Sequence, residues 1–116
     1  MLSYLIYFIP IAVVLYLLWS RRSSSVTDLK AMLDRKAQII DVRTRAEFGS
    51  ASHPKAVNIP LDQLDGRIKE LDRNRPVLVC CASGSRSAVG VSLLKKAGFT
   101  DVANLGSWQR IQSLLG

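Results

Sequence analysis

Two kinds of hydrophobic pattern divide the chain. From Leu2 to Trp19, LSYLIYFIPIAVVLYLLW, the residues are apolar or weakly polar throughout, with no Lys, Arg, Asp or Glu. As a helix this run spans about 27 Å at ~1.5 Å per residue, close to the thickness of a bilayer's hydrocarbon core. Pro10 falls mid-span, where membrane helices tolerate it. Tyr4, Tyr7, Tyr16 and Trp19 lie towards the ends, where amphipathic rings favour the interface. The pattern predicts a retained single-pass anchor over residues 2–19, in contact with the lipid bilayer. A cleavable leader fits less well: no basic residue precedes Leu2, and Leu18-Trp19-Ser20-Arg21 lacks the small residues of a cleavage site. Residues 20–25, SRRSSS, read as a short polar linker. Arg21 and Arg22 predict an outward N-terminus and a cytoplasmic location for all that follows.

From residue 26 the apolar runs are short and change period. Thr27 is the expected N-cap of a helix over Asp28–Arg35, with Leu29, Met32 and Leu33 on one face. Gln38–Val42 and Ala56–Ile59 read as strands, the second closed by Pro60. Leu61, Leu64, Ile68 and Leu71 recur at helical spacing, weakened by Gly66. A strand follows Pro76 over Val77–Cys80. Next comes a helix over Ser87–Ala97, with apolar Ala88, Val91 and Leu94 and with Gly98 as its stop. Val102–Asn104 is a last strand and Trp108–Leu115 a last helix. The alternation predicts one α/β domain over residues 26–116, a small, mostly parallel sheet flanked by helices. Its ligand site belongs outside the carboxyl ends of the strands.

Composition narrows the chemistry. A chain of 116 residues has room for one small domain. The formal net charge of +7 is scattered. No Lys/Arg run exceeds two residues, so there is no phosphate-tracking stripe and no nucleic-acid partner is expected. The two adjacent cysteines cannot form a disulfide framework, and the lone His53 has no partner at metal-ligand spacing. Neither a metal nor an organic cofactor is implied. A reducing compartment would keep both thiols available.

The stretch Cys80–Ser87, CCASGSRS, concentrates what chemistry remains. It joins a strand's carboxyl end to the start of a helix. Gly84 permits a turn that aims successive N–H groups inward as an anion cradle. The helix N-terminus adds partial positive charge there. A cysteine at this point should ionise readily, and the thiolate is the nucleophile. Two registers are available. Cys80 to Arg86 is C-x5-R, the spacing of cysteine phosphatases and arsenate reductases, and Cys81 to Arg86 is C-x4-R. Period two sends the two side chains to opposite faces of the strand. The polar loop argues that at least one thiol is accessible, with Cys80 as the buried one.

The seven residues Cys81-Ala82-Ser83-Gly84-Ser85-Arg86-Ser87 resemble the C-x-S-G-x-R-S loop of single-domain rhodaneses, the thiosulfate and persulfide sulfurtransferases. Asp41-Val42-Arg43 with Glu47-Phe48 is similar to that family's D-V-R-x-x-x-E-F/Y element. Ala56-Val57-Asn58-Ile59-Pro60 resembles its A-I/V-N-I-P strand, and Ala97-Gly98-Phe99, Val102 and Leu105-Gly106 its ending. Two places depart: Ala51–Ala56 replaces a G-H-I-P-G-A segment, with Lys55 where glycine is usual, and Ser107 replaces a second glycine. The resemblance implies a Cys81 nucleophile that takes sulfane sulfur from thiosulfate or a persulfide and passes it to cyanide or a thiol. It implies a binding loop formed by Ala82, Ser83, Gly84, Ser85, Arg86 and Ser87. Arg86 is expected to brace the loop against a carboxylate, with Asp41, Arg43 and Glu47 as supports. A rhodanese-like binding module without turnover is the alternative, and a phosphatase or arsenate reductase using Cys80 a further one.

Overall fold

The computed structural model of the protein describes residues 10–16 and 25–115. Among the described residues no helix is long and apolar enough to cross a membrane. The anchor expected over 2–19 is therefore not shown. Of that span only 10–16 are described, as helix with exposed side chains. Residues 2–9 and 17–19, and 20–24 of the expected linker, lie outside the described residues.

The domain begins two residues earlier than its pattern suggests. Ser25, not Thr27, caps the first helix, α1 (Val26–Asp34), its hydroxyl accepting the Asp28 N–H at 3.2 Å. Both residues can cap, but only Ser25 stands three before an acidic residue, as a capping box prefers. Strand β1 (Gln38–Asp41) leads into a helix the hydrophobic pattern misses, α2 (Arg45–Ser50). Thr44 and Glu47 cap it reciprocally. Then follow β2 (Ala56–Asn58), α3 (Leu61–Leu64) and a 3-10 helix over Asp65–Glu70. The 3-10 geometry arises where Gly66 weakens the helix. The rest is β3 (Val77–Cys81), α4 (Ser85–Lys96), β4 (Val102–Ser107) and α5 (Arg110–Leu115).

The four strands form one parallel sheet in the order β2-β1-β3-β4. Helices cover both faces, so central β3 is buried at every residue, which is why it reads as the unbroken apolar run VLVCC. Val77, Val79 and Cys81 pack with Ile40, Leu64 and Leu94 under α3 and α4. Leu78 and Cys80 pack with Leu29, Met32, Leu105 and Ile111 under α1 and α5. Helix α4 lies close on the sheet: a Cβ on Gly90 would meet Val79 Cγ1 at 3.1 Å. It ends as expected at Gly98, where the Gly98 and Phe99 N–H groups bond back to Lys95 and Leu94. A bulge interrupts β4. Asn104 pairs with Val79 and Gly106 with Cys80, so Leu105 is the extra residue.

Candidate active site

The carboxyl end of β3 delivers Cys81 to the foot of α4, between the loop and the sheet. Gly84 makes the turn in the left-handed region, at φ 105°, and is the N-cap of the 12-residue α4. That geometry aims the loop inward. The Gly84 N–H donates to Cys81 Sγ at 2.9 Å and the Ser87 N–H at 3.4 Å. The Cys81 thiol in turn donates to Ser87 Oγ at 3.4 Å. Burial alone would raise the Cys81 thiol. The Ser87 hydroxyl and the N–H groups of Ser87, Gly84 and Ser83 outweigh it and hold the thiol below its ordinary value.

Both cysteines are fully buried, each with 0% exposure, which corrects the expectation that at least one is accessible. The loop is polar because its N–H groups close over sulfur, not because the sulfur meets water. What separates the two is the face. Cys80 sits in the apolar cluster under α1 and α5. Its thiol is pushed far up, by burial first and by the Asp41 charge second. Only Cys81 shares a side of the sheet with the loop donors.

Arg86 turns to α2 and pairs with both Glu47 carboxylate oxygens, at 2.6 and 2.9 Å. This fork is the pairing with a neighbouring carboxylate expected of Arg86. Glu47 also accepts the Thr44 N–H and hydroxyl. Arg86 first, then Thr44, lowers its carboxyl to about 2. Asp41 and Arg43 pair instead with each other, at 2.7 Å and buried. The Arg43 guanidinium also donates to the Glu47 and Ala51 carbonyls and lies 4.6 Å over the Trp108 ring. It thus ties α2 and the following loop to the sheet. Ser83 and Ser85 are exposed or nearly so and bond to one another at 3.3 Å. Ala82 makes the exposed shoulder of the turn. His53 accepts the Lys55 N–H at Nδ1, which leaves Nε2 to donate to Gln112 on α5.

Asn104 escaped the sequence reading. Its amide reaches Gly84 and Ser87 from the β4 bulge. The available signal was a lone Asn, a poor strand residue, inside an apolar strand. A hollow of about 250 Å³ lies by the amino end of β1, lined by Gln38, Glu70 and Arg75 among others. Those three are already paired, with Asp72, Arg67 and the Lys36 carbonyl, and the hollow holds no cysteine or serine.

A model of the rhodanese-like domain matches residues 25–114. The chain belongs to the rhodanese-like domain family. Thiosulfate sulfurtransferase 18 of Arabidopsis thaliana is 36% identical over 98 residues, covering 72% of each chain. A sulfurtransferase of Allochromatium vinosum is 33% identical over 67 residues, covering 58% of this chain and 63% of its own. This rhodanese-like chain spans 50% and 56% of the lengths of two Bacillus subtilis relatives. Among solved structures, a rhodanese-related protein of Thermoplasma volcanium superposes with TM-score 0.63 at 31% identity, covering 81% of this chain and 90% of that one. A rhodanese with anions from E. coli gives TM-score 0.58 at 33% identity, covering 63% and 88%.

Proposed function

We propose that this rhodanese-like domain transfers sulfane sulfur by double displacement through Cys81. The Cys81 thiolate attacks the outer sulfur of thiosulfate. The S–S bond of the donor breaks, sulfite leaves with the electron pair, and Cys81 carries a persulfide. Cyanide or a thiolate then attacks that outer sulfur, leaves as thiocyanate or a new persulfide, and returns Cys81 to thiolate. A persulfide donor enters in the same way, with a thiolate leaving. No metal or organic cofactor takes part.

The convergence of the Gly84 and Ser87 N–H groups on Cys81 Sγ carries this reading. The same donors suit the negative charge of a thiolate and of a persulfide. Sulfurtransferase names among the relatives support the reaction class, and a similar solved structure is that of an E. coli rhodanese with anions. Burial of Cys80 away from the loop speaks against a phosphatase or reductase built on C-x5-R. A module that only binds has no use for a stabilised thiolate.

The proposal includes attachment to the membrane through residues 2–19, with the N-terminus outside and the domain in the cytoplasm. The unbroken apolar run and the Arg21-Arg22 pair support it. So does the exposure of Ile11, Val14 and Leu15, at 59%, 53% and 61%. The chain is expected in the membrane fraction, with residues 21–116 protected from protease added to right-side-out vesicles. Cleavage of the domain under those conditions contradicts the orientation.

Initial rates with thiosulfate and cyanide both varied test the reaction. Parallel double-reciprocal lines, lost in Cys81→Ser and kept in Cys80→Ser, are expected. Intersecting lines, or loss with Cys80 instead, overturn the mechanism.

A further inference from the structure

We propose that Asn104 is a positioning residue that holds two of the donors to the Cys81 sulfur, Gly84 and Ser87, in place and so sets how readily Cys81 ionises; this rests on reading Cys81 as the nucleophile. The geometry is specific. Asn104 Nδ2 donates to the Gly84 carbonyl at 3.0 Å, and Oδ1 accepts the Ser87 hydroxyl at 2.6 Å and the Gly106 N–H at 2.9 Å. Gly84 and Ser87 are the same residues whose N–H groups reach Sγ. One amide therefore reaches both arms of the cradle from a different strand. It does so because of the bulge at Leu105, after which Gly106 turns at φ 90° and lies against the loop. A Cβ on Gly84 would meet Gly106 Cα at 3.4 Å. Gly84 is held at both ends, its N–H on sulfur and its carbonyl on Asn104.

Asn104 also has an opposing effect. Ser87 has one hydroxyl proton, and Asn104 Oδ1 at 2.6 Å competes for it with an ionised Cys81, as does the Gly84 carbonyl at 3.0 Å, which still holds it when Asn104 is lost. The distances decide the sign. The Gly84 N–H that Asn104 braces lies 2.9 Å from Sγ, whereas the Ser87 hydroxyl it draws on lies 3.4 Å away. Bracing outweighs competition, so loss of Asn104 should make Cys81 harder to ionise. Cys80 on β3 and Arg86 on α4 are the ionisable groups that interact with Cys81, and the elements around the site also carry Asp41 and Arg43 after β1, Glu47 on α2 and Arg110 on α5. Neutral replacements of Asn104 leave all of those charges in place.

The test is the pH profile of Cys81 alkylation by iodoacetamide, on the full chain carrying Cys80→Ala so that one thiol remains. Asn104→Ala and Asn104→Thr are compared with that parent. Threonine suits a strand and is one bond too short to reproduce the amide's reach, so it reports even if the alanine variant folds poorly. The midpoint should rise by about one pH unit, roughly tenfold less thiolate at a pH below it. An unmoved midpoint with a lower unfolding temperature makes Asn104 a structural tie only and overturns the proposal. A lowered midpoint overturns it too, since competition for the Ser87 proton then dominates. Thiosulfate:cyanide transfer is measured on the same parent. A raised midpoint in the variants with no transfer in the parent supports the Asn104 inference while sinking the sulfurtransferase reading. Transfer with an indifferent midpoint does the reverse.

Discussion

Gly84→Ala probes the cradle with one methyl group. At φ 105° an alanine is strained, at a cost of about 1–2 kcal/mol for the left-handed backbone. The new Cβ would also lie 3.4 Å from Gly106 Cα and 3.9 Å from Asn104 Nδ2. Both are ordinary van der Waals distances, so the backbone angle alone carries the cost. The strain predicts a folded-state loss of about 1–2 kcal/mol, read as a lower urea midpoint. The loop can relieve the strain by turning the Gly84 peptide, but then its N–H leaves Cys81 Sγ. A hydrogen bond to a charged group contributes about 1.5–3 kcal/mol, or roughly one to two units in the thiol's pKa. Near neutral pH, transfer from thiosulfate to cyanide per folded molecule should fall roughly tenfold to a hundredfold. Gly49→Ala is the internal control. Its Cβ meets nothing within 4 Å, and it sits in α2 at an ordinary backbone angle, so it should gain up to about 1 kcal/mol with unchanged activity. If Gly84→Ala matches the parent in both urea midpoint and rate, the loop is not the preorganised cradle described above.

The Glu47–Arg86 fork should give the domain an acid-sensitive branch. Because Glu47 is lowered from 4.5 to about 2, its contribution is complete above 4.5 and drains as pH falls through about 2. Urea midpoints should fall more steeply over that range for the parent than for Glu47→Gln, and equal slopes count against the pairing. Asp41→Ala should cost about 3–5 kcal/mol in denaturation, since it strands Arg43, itself 4% exposed. Adding Arg43→Met should restore part of that loss. Gly90→Ala should destabilise despite a helix-propensity gain of about 1 kcal/mol, because a Cβ 3.1 Å from Val79 Cγ1 overpacks the sheet at about 1–3 kcal/mol. A more stable Gly90→Ala protein contradicts the close seating of α4.

Much of this fold could be read from the chain because its strong elements obey their own periods. The run from Val77 to Cys81 is apolar at every position because helices cover both sheet faces, and the same period sends Cys80 and Cys81 apart. Gly98 marks the end of α4 because the backbone there needs φ 99°. The misses have equally local causes. Helix α2 buries none of its residues, so hydrophobic spacing carries no trace of it. Only the Thr44–Glu47 capping pair announced it. Strand β4 runs on to Ser107 because a bulge, which periodicity cannot show, resets its pairing after Asn104. The burial of Cys81 was missed because polar loop residues suggest water, whereas here their N–H groups turn towards sulfur. Arg86 could be assigned a bracing role from the chain, but its choice of Glu47 over Asp41 depends on α2, the helix that pattern could not see.

The most direct test of sulfur transfer through Cys81 is the intact mass of the protein after incubation with thiosulfate. Parent, Cys80→Ser and Cys81→Ser chains are compared before and after a cyanide chase. The account predicts a gain of one sulfur atom on the parent and on Cys80→Ser, its removal by cyanide, and no gain on Cys81→Ser. A sulfur that disappears with Cys80 instead, or a parent that never takes one up, contradicts it.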